Sequence, residues 1–564
     1  MTTKIAISQK TPGAYQQNRL QEIFRQIETQ WNGGSANLEF LQSGTGATAR
    51  NLQAWGRDRA VLLTDFLPTG YVTDGSVDYT TQIQAWLNKG GKLIAPVGTW
   101  LCGAVTPISN SEIEGYGIGS TIFKVANSTN SSLFTLAALS SVAFRDFKIS
   151  GNSANQTSGS GIHVSGASTD IVCSNVLVDD HYDYGFYFEQ GTNIRLFNCG
   201  ATNGKAGASS SAVRGGFLFG TTSGPTTVNN VECFGCYASG SNSFVDGFMS
   251  ENGTDHRFVG CRTAVAYTGF KVKGSNVIVT GCYATGGVQG YQTQTSSHNL
   301  IFQGNIAYRC NDSGFFLGNI DTVNNLIGLC LFGNLAIENG QSPSSTSYGF
   351  AFECTASCTM DQIVLNDNIA IDNQLVKTQT HGISFGGSGT VSNVTMNGNF
   401  CKGNTIDIYT GGASLQTSTF TYGWNIGYDG SSLLSVWPRS VERLNFWIDN
   451  LATGAGTTVL SDGLGARGYM VPRAGYIRSL SVRGNATTTA GQATFQLRVN
   501  GTINSNFNCH INTTNPTFDI QTQAWLLSAN ALAAGDMITV ICASDGSFAP
   551  GGTTDFDAVV EIAY

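Results

Sequence analysis

Between Gly161 and about Ile408 the chain repeats a short pattern, in which a glycine precedes apolar residues that alternate with variable ones. The pattern reads GIHV at Gly161, GFYF at Gly185, GFLF at Gly216, GFMS at Gly247, GFKV at Gly269, GYQT at Gly290, GFFL at Gly314, GFAF at Gly349 and GISF at Gly382. Successive glycines are 21 to 35 residues apart. A short period that is lengthened by insertions is typical of a solenoid, in which each repeat packs on its neighbours.

A second pattern lies midway in each repeat, where a run of Val, Ile or Leu is closed by Gly or Asp and followed by Asn or Cys. It occurs at Asn175, Cys199, Cys236, Cys261, Cys282, Asn305, Asn334, Asn368 and Asn399. Two to three short strands per repeat, turned at Gly or Asn, predict an all-β fold, a right-handed parallel β-helix. Each residue of such a coil lies about 4.8 Å from its copy in the next turn. The Asn and Cys positions are therefore predicted to form ladders.

Two helices are predicted ahead of the coil. Residues 14–31 carry an apolar stripe at helical spacing, formed by Leu20, Phe24, Ile27 and Trp31. This stripe is predicted to pack on copies of itself or on a docking partner, and packing on its own domain is the alternative. A shorter helix is predicted after Asp78, which would be its N-cap, with Ile83, Trp86 and Leu87 as its apolar face and Gly90 beyond its end. It is predicted to cover the open end of the coil.

The C-terminal part has a different pattern. Composition changes near residues 421–439, and from about 440 onward the chain reads as short alternating strands. Asn500-Gly501 lies between two such runs and predicts a hairpin. The predicted organisation is an N-terminal helix and attachment segment over 1–39, a neck and capping helix over 40–91, the β-helix over 92–425, and a jelly-roll-like β-sandwich over 440–564.

Composition restricts the partners. The formal net charge is -8 and only 12% of residues are charged, so clustered basic residues that bind phosphate are lacking and a nucleic-acid partner is not expected. No apolar run reaches the roughly 18 residues of a membrane span, so membrane insertion is not expected. Met1 to Lys4 is not followed by the apolar core of a signal peptide, which disfavours ordinary export.

The chain has 14 cysteines, most of them in the repeats. Several recur at ladder positions, which predicts stacked free thiols that act as small apolar residues. Cys233 with Cys236, and Cys354 with Cys358, have the internal spacing of zinc ligands, but no His residues follow at matching intervals. Neither a metal site nor a cofactor is therefore expected.

Residues 40–120 resemble the neck and first turns of bacteriophage tailspikes of the pectate-lyase-like superfamily. The matching features are Gly44-Thr45-Gly46-Ala47, Arg50, Asp65-Phe66, Asp74-Gly75, Asp78, Thr80, Ile83-Gln84-Ala85, Gly90-Gly91, Pro96 and Gly98-Thr99-Trp100. The chain departs from the usual pattern at Leu67–Gly70 and at Tyr79. The resemblance implies a homotrimeric phage tailspike in the virion. Such a protein is joined to a tail or baseplate protein through its N-terminus, and it binds and depolymerises a bacterial surface polysaccharide.

The repeats also predict which side chains point outward, because alternate residues of a strand face opposite sides. Two places after each glycine the outward residues are Tyr187, Leu218, Met249, Lys271, Gln292, Phe316, Ala351 and Ser384. Four places after it they are Glu189, Gly220, Glu251, Lys273, Gln294, Gly318, Glu353 and Gly386. A stripe of carboxylates, amides, cations and rings suits a polysaccharide groove. The predicted substrate-binding residues are Tyr187, Arg214, Lys271, Lys273, Gln292 and Gln294.

Two carboxylate pairs are candidates for catalysis. Glu189 and Glu251 lie two turns apart, so their Cα atoms should be about 9 to 10 Å apart. Inverting glycosidases place an acid and a base about 6.5 to 9.5 Å apart, although outward glutamates are also ordinary surface residues. The rival pair is Asp183 and Asp246, with Arg214 on the turn between. Asp246-Gly247-Phe248 is similar to an element of polygalacturonase-like hydrolases, but their doubled Asp one turn later is missing.

Insertions favour one location for the site, because loops on a rigid scaffold commonly build sites. Those at about 200–215 and 237–246 flank Glu189, Arg214, Asp246 and Glu251, while later ones form a second rim near Glu353. The leading hypothesis is a hydrolase with paired carboxylates. The alternatives are a tail fibre that binds sugar without cleaving it, a lyase that uses Lys271, Lys273 or Arg214, and a secreted bacterial adhesin or pectinolytic enzyme.

Overall fold

The structure, a computed structural model, describes most of the chain from residue 60 onward. The described residues are 39–40, 50–51, 60–205, 214–221, 227–240, 246–294, 297–319, 325–342, 346–354, 358–409, 421–422, 425, 441–451, 457–460, 468–472, 474–522, 530–550 and 554–563. The helix predicted over 14–31 and most of 421–439 lie outside them. The chain divides into two compact units, Met1–Gly274 and Ser275–Tyr564.

The first unit contains three columns of parallel strands, in which each strand pairs with its counterpart in the next repeat. One column, here called the front sheet, consists of Phe134–Leu136, Ile162–Val164, Tyr184–Phe188, Gly215–Phe219, Asp246–Ser250 and Thr268–Val272. The other two columns contain Val61–Leu62, Asp74–Asp78, Gly91–Ile94, Gly98–Cys102, Ser111–Glu114, Thr121–Val125, Ser140–Ser150, Ser168–Asp179, Gly191–Phe197, Gly200–Thr202, Val228–Phe234, Tyr237–Ser239, Gly253–Val259 and Arg262–Ala264. Glu39–Phe40 and Arg50–Asn51 form a separate antiparallel pair. One turn of this coil is called a rung below.

The interior of the first unit is filled by stacked rings, because the same apolar position recurs in every rung. Phe186 stacks on Phe217 with ring centroids 4.8 Å apart, and Phe217 stacks on Phe248 at 4.5 Å. Phe248 stacks in turn on Phe270 at 5.1 Å. All four side chains are buried. The predicted inward facing of the residue after each repeat glycine is therefore confirmed.

The recurring glycine has a packing cause. A Cβ on Gly216 would lie 2.7 Å from the carbonyl oxygen of Gly247 and 2.8 Å from the Cβ of Ala238. At Gly247 a Cβ would lie 2.6 Å from the oxygen of Gly269. At the second residue of these front strands, the backbones of neighbouring rungs are therefore too close for any side chain.

The predicted short helix is present at Thr80–Leu87. Ile83, Trp86 and Leu87 are fully buried, as predicted. The predicted N-cap is off by one residue, because Tyr79 occupies that position and has no capping side-chain bond. The Asp78 carboxylate still accepts the N–H of Thr80, at 2.8 Å, and so satisfies one of the free donors at the helix start. Two 3₁₀ helices lie at Leu63–Phe66 and Ser153–Asn155.

A column of buried cysteines runs through the first unit, as predicted for Cys199, Cys236 and Cys261. The amide of Tyr237 bonds to the oxygen of Cys199, and that of Arg262 bonds to Cys236, so the three lie on successive rungs. Asn175 was predicted in the same column, and this is wrong. Val176 takes that position, since the next residue, Leu177, pairs with Gly200. Asn175 instead has a φ of 52° and forms the turn before the column, which Asn tolerates.

The second unit begins with strands of the same kind. Its own front sheet consists of Gln289–Thr293, Ser313–Asn319, Tyr348–Cys354, His381–Gly387 and Ile406–Tyr409. The other two columns contain Ile278–Thr280, Tyr283–Thr285, Ser297–Gln303, Ile306–Tyr308, Leu326–Phe332, Leu335–Ile337, Thr359–Asn366, Ile369–Ile371, Thr390–Asn397, Phe400–Lys402 and Thr421–Tyr422.

The predicted asparagine ladder is present in this unit. The side-chain amide of Asn305 donates to the oxygen of Asn334 at 2.9 Å, and Asn334 donates likewise to Asn368 at 2.9 Å. Asn368 continues to Asn399 at 3.0 Å, and Asn399 to Asn425 at 2.7 Å. All five side chains are buried. Because each amide both donates and accepts along the column, buried polar groups are satisfied by their own copies.

The C-terminal strands are antiparallel and form two larger sheets. One contains Val441–Leu451, Thr554–Ala563, Gly475–Gly484, Phe518–Thr522 and Ala531–Leu532, and the other contains Thr457–Val459, Tyr469–Met470, Met537–Ser544, Gln492–Val499 and Thr502–Asn512. Thr488–Ala490 pairs with Ala549–Pro550. The hairpin predicted at Asn500-Gly501 is confirmed, and both residues have positive φ. Buried residues of both larger sheets form one hydrophobic core, while the jelly-roll topology stays a prediction.

Within the part of the chain that the structure describes, no helix is long and apolar enough to span a membrane.

Candidate active site

The candidate site lies on two neighbouring front strands of the first unit. Asp246 begins the strand Asp246–Ser250, and Glu251 follows its end. Met249 pairs with Lys271 on the next strand, so along the strand direction this lysine lies between the positions of the two carboxylates. The amide of Lys273 donates to the oxygen of Ser250 at 2.7 Å. The repeat register therefore brings together four charged residues that are up to 27 positions apart in sequence.

The four side chains form a buried ionic cluster. The Lys271 ammonium lies 3.9 Å from an Asp246 oxygen and 3.7 Å from a Glu251 oxygen. Lys273 approaches the other Glu251 oxygen at 3.8 Å. Asp246 is 4% exposed and Glu251 is 3% exposed. Since one ammonium contacts both acids, their nearest oxygens are at most about 8 Å apart, a distance within the reach of glycosidase carboxylate pairs.

Burial changes the acidity of both carboxyl groups. Loss of solvation raises the pKa of Asp246 to about 6, against the opposing effects of Lys271 and of hydrogen bonding to Thr268. The Thr268 amide donates to Asp246 at 3.2 Å. Burial also raises the pKa of Glu251, although Lys271 and Lys273 both lower it. Each acid can therefore hold a proton at a pH where an exposed carboxyl group is ionised.

An apolar patch adjoins the cluster on the outer side of the front sheet. Tyr184, Leu218 and Met249 are buried together, and Tyr187 packs against them. The outward facing predicted for Tyr187, Leu218 and Met249 is consistent with this patch, which is separate from the ring stack inside the coil. The Tyr184 hydroxyl has no hydrogen-bond partner among the described residues. Burial and the nearby Tyr187, Asp246, Asp183 and Glu251 raise its pKa.

A pocket of about 280 Å³ opens on the other side of Tyr184. His163 and Tyr187 line it with parallel rings whose centroids are 4.5 Å apart. Glu189 lies 3.2 Å from the Nε2 atom of His163. Asp183 also lines the pocket and accepts the amide of Gly159 at 2.6 Å.

Comparison with known proteins identifies the fold. No protein-family model and no curated protein sequence matches the chain. The A-module of the mannuronan C-5 epimerase AlgE6 from Azotobacter vinelandii is similar, with a TM-score of 0.51 and 16% identity over 65% of this chain and 100% of the module. A variant of the tailspike protein of Escherichia coli bacteriophage HK620, in complex with a hexasaccharide, has a TM-score of 0.50 and 12% identity over 93% of this chain and 99% of that one. This chain has the parallel β-helix fold. The resemblance to tailspikes is thus confirmed for the fold.

The structure brings together a pair of carboxylates that differs from both predicted pairs. Asp246 and Glu251, one from each pair, contact the same lysine. Glu189 contacts His163 instead, on the rung before. Asp183 lies in the adjoining pocket. The roles of all four residues stay predictions.

The predicted binding residues are divided between the two units. Lys271 and Lys273 belong to the ionic cluster of the first unit. The Arg214 guanidinium lies 4.4 Å from the centre of the Tyr182 ring, which also contacts Lys205. Gln292 and Gln294 belong to the second unit, where Gln292 is buried and Gln294 is partly exposed. Of the insertions predicted to flank the site, at about 200–215 and 237–246, residues 206–213 and 241–245 lie outside the described residues.

Sequence reasoning missed Tyr184 and His163. A signal for Tyr184 existed, because the YGFYFE segment that contains it recurs as YGFAFE at Tyr348. His163 sits two places after its own repeat glycine, at a position already predicted to face outward. Among the described residues, no group of three or more His, Cys, Asp and Glu side chains is arranged to hold a metal ion.

Proposed function

We propose that the protein binds a bacterial surface polysaccharide, a capsule or an O-antigen, and depolymerises it by glycoside hydrolysis. The observation that carries the proposal is the pair of buried carboxyl groups, Asp246 and Glu251, that share the ammonium of Lys271. Glycoside hydrolysis needs two carboxyl groups of different protonation, one as an acid and one as a base or nucleophile.

The environments of the two groups favour different roles. Asp246, whose pKa is raised to about 6, is suited to donate its proton to the glycosidic oxygen. Glu251 contacts two ammonium groups, which stabilise its ionised form. It is suited either to attack the anomeric carbon or to remove a proton from the attacking water. Each cleavage then consumes one water molecule and creates one new reducing end.

Neighbouring residues are suited to binding the sugar. The stacked rings of Tyr187 and His163 offer apolar contact to a pyranose ring at the pocket wall, while Asp183 and Glu189 can accept bonds from its hydroxyls. The patch formed by Tyr184, Leu218 and Met249 lies between this pocket and the ionic cluster. A polymer lying across the patch would therefore contact both.

The biological setting in this proposal is a phage tail. The similarity to a tailspike over 93% of this chain supports it at the level of fold. In this setting the chain is a homotrimer in the virion, residues 1–39 join it to a tail or baseplate protein, and the β-helix acts at the host cell surface. The same similarity fits a fibre that binds the polysaccharide without cleaving it.

A lyase is the second candidate, because the cluster also holds an amine. Lys271 and the buried hydroxyl of Tyr184 could serve as base and acid in an elimination. A lyase forms an unsaturated sugar that absorbs in the ultraviolet, and it consumes no water. A hydrolase leaves saturated ends only.

The test uses the full chain and a panel of purified capsular and O-antigen polysaccharides. We expect wild-type protein to release oligosaccharides with new reducing ends and no ultraviolet absorbance. Asp246→Asn and Glu251→Gln should each lower turnover by about 10²- to 10⁴-fold while the polymer is still bound. Glu232→Gln is the matched control, because Glu232 forms an ion pair with Arg195 on another column of the same unit.

The outcomes separate the candidates. An ultraviolet-absorbing product identifies a lyase, and retention of intact polymer by the wild type identifies a non-catalytic fibre. Glu189→Gln and Asp183→Asn are measured in the same assay. If either abolishes turnover while Asp246→Asn and Glu251→Gln do not, the pairing through Lys271 is not the catalytic one.

A further inference from the structure

The segment YGFxFE occurs twice in the chain, at Tyr184–Glu189 in the first unit and at Tyr348–Glu353 in the second. In each copy the Tyr precedes the repeat glycine and the Glu follows it by four places. A histidine lies on an adjoining rung in both cases, His163 beside the first copy and His381 beside the second. The first copy lines the pocket described above, whereas the second has no assigned role.

The second copy builds a group of aromatic rings on the front sheet of the second unit. The Tyr348 and His381 rings are stacked with their centroids 5.2 Å apart. His381 in turn contacts the Tyr409 ring at 5.3 Å. Tyr348 and His381 are half-buried, while Tyr409 is 36% exposed. Three rings from three successive strands therefore form one continuous surface that is partly open to solvent.

Glu353 adjoins this surface at Tyr348. Burial raises the pKa of Glu353 and a side-chain hydrogen bond with Tyr348 opposes this rise, so the two side chains lie next to each other. Glycines occupy the position of Glu353 on both adjoining rungs, because Glu353 pairs with Gly318 and with Gly386. A Cβ on Gly386 would lie only 2.7 Å from the carboxylate. The space beside this carboxylate therefore depends on glycine at that position.

We infer that Tyr348, Glu353, His381 and Tyr409 form a second saccharide-binding site, which holds the polymer without cleaving it. The rings offer a face for a pyranose ring, and the carboxylate can accept bonds from two sugar hydroxyls. A carboxylate beside half-buried rings favours an uncharged hexose over an acidic one. Among the described residues no cation bridges Glu353 to a second carboxylate, as Lys271 bridges Asp246 and Glu251 in the first unit, and glycoside hydrolysis uses two such groups.

A second site would increase the affinity for a long polymer more than for a short fragment, because two linked contacts act together. This inference rests on the proposed function in one respect, which is that the ligand of the protein is a saccharide. The ionic cluster and the aromatic group belong to different units, so each can be removed separately.

The test measures retention of the same polysaccharide panel by full-length protein that carries Asp246→Asn. We expect Tyr409→Ala and Glu353→Gln each to weaken retention of the bound polymer by about tenfold. For Glu353 this corresponds to the loss of one hydrogen bond to a charged group, and for Tyr409 to the loss of apolar contact of similar free energy. Tyr116→Ala is the matched control, since Tyr116 is an exposed tyrosine of the first unit. In protein with Asp246 intact, Tyr409→Ala should leave the turnover of short oligosaccharides unchanged.

The second site is overturned if both variants bind every polymer as tightly as the Tyr116→Ala control. It is also overturned if Tyr409→Ala abolishes turnover of short oligosaccharides, because the rings would then belong to the cleavage site. Failure of the proposed function gives a different result. The wild type would then cleave nothing, while Tyr409→Ala would still weaken binding.

Discussion

At the scale of single residues, burial decides the chemistry of the candidate site. Asp246 and Glu251 are ordinary acids in sequence, but the neighbouring strands remove nearly all water from them. Desolvation raises the pKa of both, and Lys271 opposes it. The balance leaves Asp246 with a pKa of about 6. This value lies close enough to neutral pH for the group to donate a proton and recover it.

The pH dependence of turnover should report this balance. If Asp246 is the acid, its protonated form is active, so kcat/KM should fall as the pH rises through about 6. The Lys271 ammonium lowers the pKa of Asp246, so Lys271→Met should raise it and move the falling limb to higher pH, by about one unit. Lys402→Met, at an exposed lysine of the second unit, should leave the limb in place. A limb that does not move in Lys271→Met would contradict the assignment of Asp246.

The thermal stability of the protein should also depend on the protonation of Asp246, and the direction of the effect can be predicted. The pKa of Asp246 is raised in the folded state, so its contribution to stability is fully present below the unfolded value of about 3.8 and is lost as the pH rises through about 6. Relative to Asp246→Asn, the wild type should therefore gain thermal stability as the pH falls from about 7.5 to about 4.5. Thermal unfolding of both proteins across this range is the measurement. A constant difference between them would mean that Asp246 is not perturbed.

At the scale of elements, each rung aligns residues that are distant in sequence. The asparagine ladder shows the consequence, because the Asn334 oxygen accepts both the backbone and the side-chain amide of Asn305. The Asn334 side-chain amide donates to the oxygens of Phe302 and Asn368. Four buried hydrogen bonds thus depend on one side chain, and no water is needed to satisfy them.

Asn334→Ala should be strongly destabilising, because it leaves the buried amides of Asn305 without an acceptor. Each unsatisfied buried group costs about 1 to 3 kcal/mol, so a loss of at least about 3 kcal/mol is expected in the free energy of unfolding. Asn311→Ala is the control, since Asn311 makes an exposed side-chain bond in the same unit. Chemical denaturation of the three proteins tests this. Equal midpoints for both variants would show that the ladder does not stabilise the fold.

At the scale of the whole molecule, assembly is the main open prediction. The stripe of Leu20, Phe24, Ile27 and Trp31 lies outside the described residues, so the reason for expecting association comes from the sequence. We expect a homotrimer with about three times the chain mass of 59.6 kDa. Light scattering on the full chain at micromolar concentration measures this. A monomer mass would contradict the prediction, and loss of the trimer on removal of residues 1–39 would assign it to the helix.

The sequence by itself determined the parallel β-helix, the glycine near the start of the repeated front strands, and the Cys and Asn columns apart from the position of Asn175. This was possible because each residue in a stacked coil contacts the equivalent residue of the next repeat. Residues that are neighbours in space therefore recur at a regular spacing in the sequence. The short helix and the hairpin at Asn500-Gly501 were likewise predictable, since both depend on residues close together along the chain.

Tertiary structure alone decided which carboxylates meet. Register places Glu189 two rungs from Glu251, but the length and direction of each side chain select the partner. Glu251 therefore contacts Lys271, together with Asp246, while Glu189 contacts His163. The burial of Glu251 and Gln292 also could not be predicted. Both residues lie at outward positions of the repeat, which suggests exposure to solvent, but both side chains are buried in the structure. Solvent access depends on all surrounding elements, and no pattern along a single strand carries that information.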